Sequence, residues 1–196
     1  MGEPGVLQHE TEPPKIVIVP RVGLVLAGCA AAFVVFAITT NSAWAIMFSH
    51  VAGGAMWTAI DLYVGLILGP IIGGMSIAAR SEFSARFMPK MVVLMPTDVM
   101  MTLAAGFQLA INLGNLYPGA VNRPWLITSM VVVGIMAVVA LGILEPANIA
   151  VLFEMRKDQP DGEVIAHLMK RFVYTAGITG LMQIMTLVIM TRVATQ

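Results

Sequence analysis

VGLVLAGCAAAFVVFAITT, residues 22–40, carries no charged side chain from end to end. A bilayer's hydrocarbon core is ~30 Å thick and a helix rises ~1.5 Å per residue, so ~20 apolar residues are enough to cross it. Outward from this run the same pattern recurs at 43–75, 91–113, 125–153 and 172–193. The expected fold is an all-α polytopic membrane helical bundle of five transmembrane helices over residues 21–196. The second run is too long for a simple crossing and contains Gly69-Pro70, where a bend or an exit from the membrane is expected.

Composition agrees. Of 196 residues, 58% are hydrophobic and 11% charged, against about 25% charged in globular chains. Eleven basic and eleven acidic residues cancel, which leaves no net field for nucleic acid. The single cysteine, Cys29, excludes an internal disulfide framework and a thiolate zinc site. Residues 1–20, with Glu3, Glu10, Glu12 and Pro13-Pro14, read as a partly disordered cytoplasmic tail rather than a cleavable signal peptide. No repeat of 20–50 residues is present, and the hydrophilic loops are short. Any chemistry is therefore expected inside the bundle or at its rim, with the lipid bilayer as the first partner.

Orientation follows from lysine and arginine. Lys15, Arg21, Arg80, Arg86, Lys90, Arg156, Lys157, Lys170 and Arg171 share one side if there are five crossings, and only Arg123 and Arg192 fall on the other. That bias puts the N-terminus in the cytoplasm and the C-terminus outside.

Ionisable groups in a bilayer core cost at least ~2.5–3.5 kcal/mol, so each is a functional candidate. Four stand within spans: His50, Asp61, Asp98 and Glu145, none with an in-span lysine or arginine to pair with. On the second span Gly54, Trp57 and Asp61 fall within ~40° of His50 around the helix. That stripe joins an imidazole, the bare backbone of Gly53 and Gly54, an indole and a carboxyl. The glycines admit either a planar ligand or another helix, and Gly65, Gly69 and Gly73 read as helix packing. His50 and Asp61 lie ~16 Å apart along the axis and cannot share an ion. On the third span Asp98, Thr102, Leu109 and Asn112 share a face. On the fourth, Glu145-Pro146-Ala147-Asn148 leaves the Gly142 carbonyl without its helical partner. Asp98 and Glu145 are expected in the cytoplasmic half with Asp61 just above them. The three would form a proton or cation path with Thr102 and Asn148, unless Thr102, Asn148 or Tyr174 simply bonds the acids. Of the sixteen methionines, Met47 and Met56 flank His50 and offer soft thioether ligands; they serve equally as apolar filler.

The string His50-x6-Trp57, then Gly65 and Leu68-Gly69-Pro70, a short basic loop and an Asp-bearing third span, resembles the CopD-like superfamily over about residues 45–113. That superfamily joins copper-resistance D-type membrane proteins with HemJ-type protoporphyrinogen oxidases. The resemblance implies a bacterial inner (plasma) membrane protein that handles haem b or copper, as a redox subunit or in metal trafficking. His50 would be the ligand, Met47, Gly53, Gly54 and Trp57 would line the cofactor, and Met56 would assist a metal. The third span carries Asp98 where the oxidase branch is expected to carry a base. Beside this stand two other expectations: a proton or cation transport protein using Asp61, Asp98 and Glu145, and a structural subunit of a larger membrane complex or a homo-oligomer.

Overall fold

The computed structural model describes residues 17–195. Most of the expected tail, with His9, lies outside the described residues. Five helices follow one another: α1 Arg21–Thr39, α2 Ala43–Gly73, α3 Ile77–Asn112, α4 Arg123–Met155 and α5 Gly162–Ala194, with no strand among the described residues. All five are long and apolar enough to cross a membrane. The chain is a multi-pass membrane protein.

The helix starts are set by local chemistry. Ser42 Oγ accepts from the Ala45 N–H, Ser76 Oγ from the Ala79 N–H, and Asp161 Oδ1 from the Glu163 and Val164 N–H groups. Each side chain satisfies donors that the first helical turn leaves open. At the far end of α1 the chain turns through Asn41, whose φ is 51°, a left-handed conformation that asparagine tolerates. Asn41 is fixed there because its Oδ1 accepts from Asn112 Nδ2 at 2.7 Å.

Two helices are longer than the hydrophobic runs. α3 has 36 residues and α5 has 33, or about 54 and 50 Å at ~1.5 Å per residue, against a core of ~30 Å. Arg80, Arg86 and Lys90 therefore stand on a helix and not in a loop, as do Lys170 and Arg171. Arg80 also closes α2: it donates to the carbonyls of Ile72, Gly73 and Met75 at 3.2–3.3 Å, which a helix C-terminus leaves unpaired. The connection into α5 is tied by Glu154, which accepts from Lys157 Nζ at 2.6 Å and the Asp161 N–H at 3.3 Å.

At Gly69-Pro70 the helix does not end. Residues Tyr63–Leu68 widen into a π turn, with the Gly69 N–H reaching back to the Val64 carbonyl, and helix continues to Gly73. Ala140–Leu144 does the same before Glu145-Pro146, with the Glu145 N–H on the Ala140 carbonyl. Proline has no N–H and its ring crowds the preceding turn, and a locally wider turn relieves both.

α2, α3, α4 and α5 form a ring in which each packs on the next and α5 closes on α2, while α1 lies outside against α3 and α2. Short connections make consecutive helices antiparallel. The core holds Trp57, Val64, Phe172 and a set of methionines, Met88, Met91, Met95, Met136 and Met169. The outward faces are apolar, as in Val22, Val138 and Val188, and are compatible with lipid contact.

Candidate functional site

The packing of α2 decides what its polar stripe does. A Cβ on Gly53 would come within 2.7 Å of Thr102 Oγ1 and 3.3 Å of the Asp98 carbonyl oxygen. A Cβ on Gly106 of α3 would fall 2.5 Å from His50 Nδ1. α3 itself therefore fills the bare patch of Gly53 and Gly54, and the His50 ring lies against Gly106. A haem macrocycle on that patch does not fit this arrangement. His50 Nδ1 is 3.0 Å from the Thr102 carbonyl; a carbonyl only accepts, so Nδ1 carries a proton, and in the neutral ring the lone pair is on Nε2. Met47 and Met56 are exposed. Met47 lines an apolar groove of about 390 Å³ with Trp44, Phe48, Val51, Ala52 and Ala55 on the outer side of α2. Thr102 donates its hydroxyl to the Asp98 main-chain carbonyl at 2.7 Å, so it does not bond the Asp98 carboxyl.

Asp61 looks the other way, to α5. Thr179 Oγ1 and Gln183 Nε2 both donate to Asp61 Oδ2, each at 2.8 Å. The second carboxyl oxygen, Oδ1, is buried without a hydrogen-bond partner. The Trp57 indole lies beside the same carboxyl, its Nε1 outside hydrogen-bond geometry. Asp61 is 1% exposed, Trp57 2%, Thr179 0% and Gln183 3%. Asp61 forms no ion pair among the described residues; the two that exist, Arg86–Glu82 and Lys157–Glu154, lie near helix ends.

The site is close-packed because glycines let α5 approach. A Cβ on Gly65 would fall 2.3 Å from the Gly177 Cα, and one on Gly180 would come 3.1 Å from the Leu62 nitrogen and 3.2 Å from the Asp61 carbonyl carbon. Further along, a Cβ on Gly69 would meet Val173 at 2.5 Å, whereas Gly73 has open space. Gly65 and Gly69 thus serve packing as expected, and Gly73 does not.

Asp98 is 2% exposed, and its Oδ2 is buried without a partner. With Gly106 against His50 and Thr102 against Gly53, the antiparallel register puts the Asp98 main chain level with Trp57. It therefore stands on the His50 side of Asp61, not below it as the span positions suggested. A helical side chain leans toward its own N-terminus, which carries the Asp98 carboxyl back toward the level of Asp61. Asn148, wholly buried, lies beside the Glu145 carboxyl, whose Oε2 has no partner. Tyr174 is exposed, under the Lys170 ammonium, and bonds none of the acids.

The stripe on α2 therefore serves two neighbours. His50 and Gly53 meet α3, Asp61 meets α5, and no group of three or more His, Cys, Asp or Glu side chains able to hold a metal exists among the described residues. Thr179 and Gln183 are the residues that the sequence reading missed. Their signal was a pair of neutral polar side chains one turn apart in an apolar helix. No protein-family model matches the chain, and neither does a curated protein or a solved structure.

Proposed function

We propose that the chain is a proton-coupled transport protein of a bacterial inner membrane, with its N-terminus in the cytoplasm, and that Asp61 is the group that takes up and releases the proton. The observation that carries this reading is the Asp61 environment: a buried carboxyl inside the spanning region, bonded through one oxygen by the neutral donors Thr179 and Gln183. A carboxyl held by neutral donors keeps its partners in either protonation state. Oδ1 is then the oxygen that gains or loses the proton. Intramembrane acids facing a bundle interior mark proton relays, and π turns gather at functional positions; here one begins two residues after Asp61. Uptake adds one proton and one positive charge, and no electron moves. The test is proton flux into liposomes carrying the purified protein under an imposed pH gradient. Flux above that of empty liposomes, lost in Asp61→Asn, supports the reading; equal flux in variant and parent refutes it.

A second reading, copper handling at His50, is favoured by a different observation. Histidines that bind metals usually give their other ring N–H to a carbonyl or carboxylate, and His50 gives Nδ1–H to the Thr102 carbonyl. His50 Nε2 would be the ligand.

A further inference from the structure

The hairpins α2–α3 and α4–α5 correspond to each other. Ile67, Leu68 and Pro70 in α2 match Ile143, Leu144 and Pro146 in α4, and in both helices the π turn immediately precedes the residue before proline. In the second helix of each hairpin, Glu82, Ala85, Met88 and Val92 match Glu163, Ala166, Met169 and Val173 at one constant offset. Burial follows the same offset: Met88 and Met169 are both 0% exposed, and Met91 and Met95 are buried like Phe172 and Ala176. At that offset Asp98 falls on Thr179 and Thr102 on Gln183, all four buried.

Both hairpins enter and leave the bundle in the same sense, because consecutive helices are antiparallel. A rotation about the bundle axis therefore relates them, the parallel-repeat arrangement found in several transporters. It carries the α2–α5 contact onto the α4–α3 contact. By the same offset Asp98 takes the sequence position of Thr179, but the contact that holds Asp61 is not repeated at that level, where α3 and the Arg123–Val139 half of α4 stand apart. α3 packs on α4 through the Glu145–Met155 half, toward the N-terminal end of α3. Two prolines interrupting corresponding helices of a repeat point to the region where such a protein binds its cargo, and Gly69-Pro70 and Glu145-Pro146 are such a pair.

We infer that Asp98 is a second proton-binding group, on α3 inside the bundle, which exchanges its proton separately from Asp61. This rests on the reading of Asp61 given above. Two observations beyond the repeat support it: Asp98 is 2% exposed, and its Oδ2 has no partner. The titratable groups on the elements packed against α3 are His50, Asp61 and Tyr63 on α2, Arg123, Glu145 and Glu154 on α4, Cys29 on α1, and Glu163, Tyr174 and Arg192 on α5. Arg21 on α1 and the His167, Lys170 and Arg171 group on α5 stand near helix ends. The Asp61 carboxyl is engaged by α5, which leaves Asp98 a site of its own.

The test is infrared difference spectroscopy of the full chain between acid and alkaline pH, reading the C=O stretch of protonated carboxyls. Asp98→Asn is expected to remove a band that Asp61→Asn leaves in place, and Asp61→Asn to remove one that Asp98→Asn leaves. Asp98→Thr, which installs the side chain of the counterpart position, should give the same spectrum as Asp98→Asn and guards against a folding artefact. If Asp98→Asn and Asp98→Thr keep every parental band while Asp61→Asn loses one, the second site is refuted and the Asp61 reading stands. If only the Asp98 variants lose a band, the Asp61 reading fails and the Asp98 site stands. No carboxyl band in the parent refutes both.

Discussion

Gly65 on α2 and Gly177 on α5 meet backbone to backbone one turn from Asp61, and the contact is not symmetric. A Cβ on Gly65 would fall 2.3 Å from the Gly177 Cα, whereas a Cβ on Gly177 would keep 3.4 Å from the Gly65 Cα. The first is closer than any real side chain allows and meets main chain that cannot turn aside. The second is ordinary contact. Helix pairs in membranes gain stability by such close packing, with no hydrophobic drive to replace it.

Gly65→Ala is therefore expected to destabilise the protein by about 1–3 kcal/mol, the usual cost of overpacking, and Gly177→Ala to change little. Thermal unfolding of the detergent-purified variants reads the difference. Equal loss in both would mean that α2 and α5 do not cross as described.

The donors to Asp61 give a second expectation. Thr179→Val and Gln183→Leu each remove one hydrogen bond to the carboxyl, and polar contacts between membrane helices average ~0.6 kcal/mol and reach ~1.7. Each variant should lose stability in that range in thermal unfolding. In the Asp61→Ala background, which offers no oxygen to either donor, the loss should shrink. An unchanged loss there would show that Thr179 and Gln183 act by packing alone.

Five spanning helices could be read from the sequence because a bilayer imposes a single length on apolar runs. The helical lengths of α3 and α5 could not, since hydropathy falls silent where Arg80, Arg86, Lys170 and Arg171 enter water. Their starts were nonetheless written in the capping residues Ser76 and Asp161. Of the site, Asp61 announced itself because charge in a membrane is costly. Its partners did not, because threonine and glutamine cost far less and look like filler until a helix crossing brings them to an acid. The stripe of His50, Gly54, Trp57 and Asp61 was real as a helix face, but periodicity cannot say that one face meets α3 at one depth and α5 at another.

Gly106→Ala tests the seating of His50. Its Cβ would meet the imidazole at 2.5–2.6 Å, pushing the ring off the Thr102 carbonyl. If His50 binds copper through Nε2, loss of that outer bond should weaken copper(I) affinity about 10–100-fold, as measured by competition with a chromogenic chelator. His50→Ala should lose at least as much. Unchanged affinity in His50→Ala would end the copper reading.

Arg80→Ala removes three hydrogen bonds from the carbonyls that end α2. A loss of about 1–2 kcal/mol is expected, in the range for hydrogen bonds to charged groups after solvent competition. Hydrogen exchange should rise at Gly74 and Met75, whose N–H groups bond the last turn of α2. Unchanged exchange there would mean that the turn holds without the guanidinium.

The most direct measurement of the central claim, that Asp61 exchanges a proton at the α2–α5 crossing, uses Trp57. With Trp44 and Trp125 replaced by Phe and Asp98 by Asn, Trp57 is the only indole, and it lies beside the Asp61 carboxyl. Its emission should change in a single step as pH is varied, and Asp61→Asn should abolish that step while leaving the helical circular dichroism intact. An emission that does not respond to pH, or a response that survives in Asp61→Asn, would contradict the account.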